Sequence, residues 1–396
     1  MPSSHSRRFR LSMFGLLYFV QGAALAYFRN FQKPYLNNLN IDLDTIGLLT
    51  SILLLPFILK VFIGMLSDRV NLLGLGHRKP YIVLGLLLAA TAFGAAGFVL
   101  PDTNLTLFAI LIVTGSFSVT LFDSTTDGLA IDITPKPEQG IVQGTMVSGR
   151  AMGFIILSLV FGLVVQSQGY RVVFLIIAAG MLLPLLWVLR VREPQQRDAT
   201  QQFHWSAFKT LTHPIFLLFG AYAIVYSIAS FGIDGLITLF MSEQFGASET
   251  AIGQYGAWRG VGAVVGAVAG GLLIGRLGRK RSAVAAAIAI CIGAILLGTA
   301  PSIGFLLMMG IVWGIAWGFQ ETVFVALAMN LADLRIAASM FAIMMAISNF
   351  GTAIGEGVAT ALVDDLGFTT VLWLLGGVSL LTLPILWGLF KKNTEA

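Results

Sequence analysis

The sequence predicts an all-α membrane protein of twelve transmembrane helices, arranged as two pseudo-symmetric six-helix bundles. Three observations predict it. Hydrophobic residues make up 57% of the 396 positions and charged residues only 11%, with a mean hydropathy of +0.87, whereas soluble domains carry about 25% charge. Apolar runs repeatedly approach the roughly 20 residues a helix needs to cross a bilayer, and none alternates with the period of two that a membrane barrel requires. Finally, one short motif occurs twice: Gly64-Met-Leu-Ser-Asp68-Arg69 closing at Arg78-Lys79, and Gly271-Leu-Leu-Ile-Gly275-Arg276 closing at Arg279-Lys280. Each copy follows the second apolar segment of its half, as an internally duplicated transporter would place it.

The spans run in order over 9–31, 44–66, 81–100, 105–127, 140–166, 171–191, 214–241, 250–275, 282–299, 303–330, 337–363 and 368–390. Their connecting segments set the orientation. Arg7, Arg8 and Arg10 precede the first span; Arg69, Arg78 and Lys79 follow the second; Lys136 follows the fourth; Arg190, Arg192, Arg197 and Lys209 lie between the sixth and seventh. Arg276, Arg279, Lys280, Arg281, Arg335, Lys391 and Lys392 continue the pattern, so this side is cytoplasmic. Opposite loops carry Asp42, Asp102, Glu243, Glu249, Asp364 and Asp365, with only Lys33 and Arg171 as cations. Both termini are then cytoplasmic. The longest polar stretch, 192–212, is a cytoplasmic linker between an N-terminal bundle over 1–191 and a C-terminal bundle over 213–396.

Several function classes find no support. The isoelectric point near 9.4 reflects basic residues at helix ends, and no basic face interleaved with aromatics suggests nucleic acid. Cys291 alone cannot form an intramolecular disulfide. His5, His77, His204 and His213 make no metal-ligand pair, so neither metal nor cofactor is expected. Gly270 to Gly275 has phosphate-loop spacing, but Arg276-Leu277 stands where Lys and Ser or Thr are needed. The basic start and Ala24-Leu25-Ala26 faintly suggest an export signal, but the eleven spans that follow favour an uncleaved first helix.

The duplicated hinge resembles the loop signature of the major facilitator superfamily. Ile46-Gly47, Leu55-Pro56-Phe57-Ile58-Leu59-Lys60, Asp127-Gly-Leu-Ala-Ile-Asp132, Gly149-Arg150, Ser339 to Ser348, Gly355, Val363-Asp364 and Leu366-Gly367 are similar to the branch containing muropeptide permeases and acetyl-CoA transporters. The resemblance implies the major facilitator fold, alternating access, and a cytoplasmic gate built from Gly64, Asp68, Arg69, Arg78, Lys79, Gly271, Arg276, Arg279 and Lys280. Two departures stand out. Gly275 replaces the acid in the second hinge, and the fifth span lacks the superfamily's Gly-Pro antiporter signature, which favours symport or facilitated passage. Gly262, Gly266 and Gly270 form a small-residue stripe expected to pack against another helix.

Arg29, Lys60, Arg150 and Arg259 lie within apolar spans, as do Asp123, Asp127, Asp234, Glu321 and Glu356. An intramembrane charge costs at least about 2.5 kcal/mol, so each should face a partner or a wet cavity. Counting depth at ~1.5 Å per residue matches Lys60 with Asp127, Arg150 with Asp123, Arg259 with Glu321, and Arg29 with Asp234. The resemblance implies that spans 1, 4, 7 and 10 line the cavity. A single offset aligns Asp123 with Glu321, Ala130 with Ala328 and Asp132 with Asn330. Asp123, Asp127, Glu321, Lys60, Arg150 and Arg259 are therefore candidates for proton coupling or charge relay, or else permanently paired charges that fix helix packing. Gln21, Tyr27, Arg29, Asp234, Trp317 and Gln320 are candidate cavity contacts.

The expected function is secondary transport of a small polar solute, coupled to protons, by a multi-pass protein of a bacterial inner membrane. Its partners would be that solute, protons and the lipid bilayer, with no nucleic acid. The alternative is a non-transporting membrane binding or assembly factor, for example for pigment complexes.

Overall fold

In a computed structural model the described residues are 6–74, 76–193, 212–331 and 337–394, and they form helices joined by short turns, with no strand among them. The helices are α1 (Arg7–Asn38), α2 (Leu43–Arg69), α3 (Lys79–Ala96), α4 (Leu105–Ile133), α5 (Gln139–Gln168), α6 (Tyr170–Val188) and α7 (Pro214–Phe245). A helical stretch, Glu249–Gly298, follows, and then α10 (Ile303–Leu331), α11 (Ala337–Leu366) and α12 (Phe368–Lys391). The stretch of 50 residues would be about 75 Å long as one helix, more than twice a bilayer's hydrocarbon thickness of roughly 30 Å. It is broken at Gly278, whose φ of 80° and ψ of 162° no L-residue adopts readily. The break separates α8 (249–277) from α9 (279–298), which brings the spans to twelve among the described residues. The expected linker lies, from Pro194 to Leu211, outside the described residues, as does Arg335.

Two compact units form. Unit 1 comprises Met1–Tyr35 and Leu59–Gln202; unit 2 comprises Leu36–Ile58 and Phe203–Ala396. In unit 1, α1 and α5 approach so closely that a Cβ on Gly149 or Gly153 would meet the carbonyl oxygen of Gly15 or Phe19. In unit 2, α8 and α10 pack the same way: Gly262 and Gly266 abut the carbonyls of Ile311 and Ile315, while Gly314 and Gly318 abut those of Arg259 and Ala263. The small-residue stripe is therefore a packing seam, the usual means of bringing helices together where lipid supplies no hydrophobic drive. Large apolar side chains such as Leu48, Phe62, Leu163 and Met329 remain exposed on the helices, as a lipid-facing surface requires.

Two local irregularities position chemistry. Pro56 lies inside α2 and cannot donate its backbone hydrogen bond; the helix is interrupted at Leu59 and resumes at Lys60. Ser124 Oγ donates to the Lys60 carbonyl at 3.2 Å in unit 1, and Asn349 Nδ2 donates to the Phe57 carbonyl at 3.0 Å in unit 2, satisfying groups beside the kink. In α1 a π-helical turn spans Tyr27–Phe31, and Asn30 Nδ2 donates to Ser158 Oγ at 2.8 Å. At the start of α2, hydrogen bonds from the Thr45 hydroxyl and N–H hold the Asp42 carboxyl below its ordinary range.

These seams make a direct prediction. Gly153→Val must push α1 from α5 and should destabilise the protein by about 1–3 kcal/mol. Gly275→Ala, whose Cβ meets nothing within 4 Å, should leave thermal unfolding in detergent unchanged or slightly raised.

Candidate functional site

In unit 1, α2 and α4 converge at a group of charges within the membrane spans, of which Asp123 is buried. Asp123 and Asp127 lie one turn apart on α4, so both carboxylates face the same neighbour. Lys60, the first residue after the α2 kink, reaches both: its Nζ is 2.6 Å from Asp123 Oδ2 and 2.8 Å from Asp127 Oδ2. From α1, the Tyr18 hydroxyl donates to Asp127 Oδ1. Asp127 thus has a donor on each oxygen. Asp123 is 4% exposed, and its Oδ1 has no hydrogen-bond partner among the described residues.

Depth matching placed Lys60 with Asp127, which is found, but Arg150 with Asp123, which is not. Asp123 takes Lys60, and the Arg150 guanidinium lies 6.0 Å from the centre of the Tyr18 ring. Lys60 spans both carboxylates, one turn apart on α4, which matching each charge to one partner by depth misses.

Unit 2 holds a second charge pair. Arg259 of α8 forks onto Asp234 of α7, Nε to Oδ1 at 2.9 Å and Nη2 to Oδ2 at 2.6 Å. Trp313 Nε1 adds a bond to Asp234 Oδ1 at 2.8 Å, and the guanidinium lies 4.0 Å from the centre of the Trp317 ring. Depth matching had joined Arg259 to Glu321 and Arg29 to Asp234. Asp234 instead takes Arg259, because a bidentate fork needs the planar match only a properly rotated neighbour supplies. Glu321 accepts from the Tyr226 hydroxyl, and Gln320 Nε2 donates to the Tyr222 hydroxyl at 3.1 Å.

The remaining cavity candidates are distributed. Gln21 and Tyr27 are buried in unit 1, and Gln21 Oε1 and the Tyr27 hydroxyl lack partners among the described residues. Trp317 Nε1 and Gln320 Oε1 do so in unit 2. Arg29 lies on the π-helical turn. The tyrosines Tyr18 and Tyr226 were not singled out as acid partners from sequence; a tyrosine on each of α1 and α7 was the available signal.

The hinge is built around Arg78. Its guanidinium donates to Asp68, to Ser67 Oγ, and through Nε to Asp132 Oδ2 at 3.4 Å. A Cβ on Gly128 would collide with that guanidinium. In the second copy Arg279 Nη1 donates to Asn330 Oδ1, the position aligned with Asp132. Lys79 turns away from Asp68: its Nζ donates to the carbonyls of Leu189 at 2.6 Å and Val191 at 3.2 Å. Glu193, read from sequence only as linker, accepts the backbone N–H groups of His77 at 2.8 Å, Arg78 at 3.0 Å and Lys79, capping α3. A Cβ on Gly64 would stand 3.4 Å from Ser124 Oγ. Gly271 meets nothing within that range, and Arg69, Arg276 and Lys280 are exposed. Arg10, taken as a topology-setting charge, is 2% exposed and paired with Glu138.

The sequence profile of the Major Facilitator Superfamily matches residues 14–240 and 219–396. The chain is 26% identical over 392 residues to the anhydromuropeptide permease of Escherichia coli (strain K12), covering 93% of this chain and 78% of the permease. Among solved structures, the nucleoside transporter NupG superposes with a TM-score of 0.79 at 16% identity, covering 96% of this chain and 100% of that one. A D-xylose-proton symporter superposes with a TM-score of 0.74 at 18% identity, covering 96% and 98%. These two likenesses concern the fold.

The Arg259 fork supplies a test of its own. Asp234→Asn takes the forked carboxylate from a guanidinium that is 8% exposed and should cost about 3–5 kcal/mol in unfolding experiments. The double variant Asp234→Asn/Arg259→Met should recover part of that loss.

Proposed function

Because the chain belongs to the Major Facilitator Superfamily of membrane transporters, we propose that it carries a small polar solute by alternating access, with transport coupled to protons. The observation that carries this reading is the group formed by Lys60, Asp123, Asp127 and Tyr18. Ionisable side chains are expensive in a membrane and are retained where they bind solute or move protons. Here two carboxylates of α4 share one ammonium, and α4 is among the helices the superfamily resemblance assigns to the cavity. Glu321 with Tyr226 gives the second half an acid of similar setting.

The solute to test first is an anhydromuropeptide, after the E. coli relative. The proposed halves are 1–191 and 213–396, set in a bacterial inner membrane with both termini cytoplasmic by the distribution of lysine and arginine. Gln21 and Tyr27 in unit 1, and separately Trp317 and Gln320 in unit 2, carry buried polar atoms without partners among the described residues, which makes each a candidate for solute contact.

Purified protein in proteoliposomes should accumulate labelled anhydromuropeptide when an inward proton gradient is imposed. Accumulation that ignores the gradient and survives both Asp123→Asn and Glu321→Gln would defeat the coupling. In the same assay Asp68→Asn, which removes a charged partner of Arg78, should slow uptake ~10-fold, since a charge-assisted hydrogen bond is worth about 1.5–3 kcal/mol and 1.4 kcal/mol is a factor of ten. Arg276→Gln should change it little, and equal effects would remove the asymmetry between the hinges.

A further inference from the structure

We propose that the proton is bound by Asp123, at Oδ1, while Lys60 and Tyr18 supply both oxygens of Asp127 with donors. The inference rests on the proton-coupled reading above and assigns its carrier.

The two acids are neighbours on one helix, yet their surroundings differ. Asp127 has the Tyr18 hydroxyl on Oδ1 and the Lys60 ammonium on Oδ2, and its side chain is 39% exposed. An ionised carboxylate accepts hydrogen bonds only, and both oxygens here are supplied. Asp123 shares the same ammonium through Oδ2, but its other oxygen is buried and meets no donor among the described residues. Leaving a charged oxygen buried without a donor costs more than leaving a neutral one. A single added proton is therefore best placed on Asp123.

The charged and titratable groups facing this carboxyl are Lys60 from α2, Asp127 from α4 itself, Tyr18 from α1 and, beyond the Tyr18 ring, Arg150 from α5. The step makes and breaks no heavy-atom bond. A proton from water adds to Oδ1, and returns to water later. With Asp123 ionised, Lys60 bridges both turns of α4; with Asp123 neutral, the ammonium is left to Asp127. The α2–α4 contact then loosens at its upper staple while Arg78 still joins Asp68 of α2 to Asp132 of α4. Lys60 and Asp68 are about 12 Å apart along α2 at the helical rise, so the proton site and the hinge act on the same pair of helices.

Infrared difference spectroscopy of the reconstituted protein, with pH as the only variable, reads the protonated carboxyl directly and needs no solute. The wild-type protein should show a titrating carboxylic-acid carbonyl band that is lost in Asp123→Asn and kept in Asp127→Asn and Glu321→Gln. Asp123→Glu retains the acid and guards against a misfolded amide variant; it should keep a titrating band at a changed frequency. A band that survives Asp123→Asn, disappears in Asp127→Asn or Glu321→Gln, or is untouched by Asp123→Glu overturns the assignment. If the band follows Asp123 while anhydromuropeptide uptake ignores the proton gradient, the assignment stands and the coupling falls.

Discussion

One ammonium between two carboxylates constrains the N-terminal half. Lys60 lies within a membrane span, where a lone charge costs at least about 2.5 kcal/mol; Asp123 and Asp127 make its position tolerable, and it in turn keeps two like charges one turn apart. The arrangement needs the break in α2. Pro56 removes a helical hydrogen bond, the helix is interrupted at Leu59, and the next residue, Lys60, reaches both carboxylates of α4. Ser124 then supplies the Lys60 carbonyl with a donor from α4. A proline, a lysine, a serine and two aspartates are thus parts of one solution to placing charge in a membrane.

The same two helices are tied a second time at the hinge. Arg78 bridges Asp68 on α2 and Asp132 on α4, with Ser67 completing its donors. Glu193 fixes the backbone on which Arg78 sits by accepting three successive N–H groups at the start of α3, while Lys79 holds the carbonyls at the end of α6. The second hinge keeps the cation but not its acids: Arg279 is exposed and meets the neutral Asn330, and Gly275 stands where the first copy has its acid. A cation bound by carboxylates on both sides resists separation more than one bound by an amide, so the two copies share a cation and differ in how firmly it is held.

Much of the fold was legible because the bilayer imposes length and composition on every span. The runs ending near Gly275 and starting near Ser282 read as two helices, and Gly278 breaks the backbone between them. The ion pairs were less legible. Depth along a helix says how far Arg259 and Glu321 lie from the membrane face, but not the azimuth that turns Arg259 to Asp234, nor that Lys60 spans both Asp123 and Asp127. Glu193 was hidden for another reason: a residue that caps a helix with its side chain looks, in sequence, like any acid in a polar linker. Tyr18 and Tyr226 look like packing aromatics until the acids opposite their hydroxyls are known.

Those tyrosines also change how the halves correspond. Sequence offset aligns Asp123 with Glu321, but contact aligns Asp127 with Glu321, since each accepts from a tyrosine on the first helix of its half. On that correspondence Asp123 is the additional acid of the N-terminal half, held on one oxygen by Lys60 and bare on the other. The C-terminal half spends its nearby arginine differently, on Asp234 and two tryptophans. That pair is closed: Arg259 forks onto both oxygens of Asp234 and Trp313 occupies one of them again. A closed pair holds helices together, whereas a carboxyl with one open oxygen can exchange a proton without first breaking a bond. The difference between the two groups is therefore one of partners: both oxygens of Asp234 are taken, whereas one oxygen of Asp123 is not.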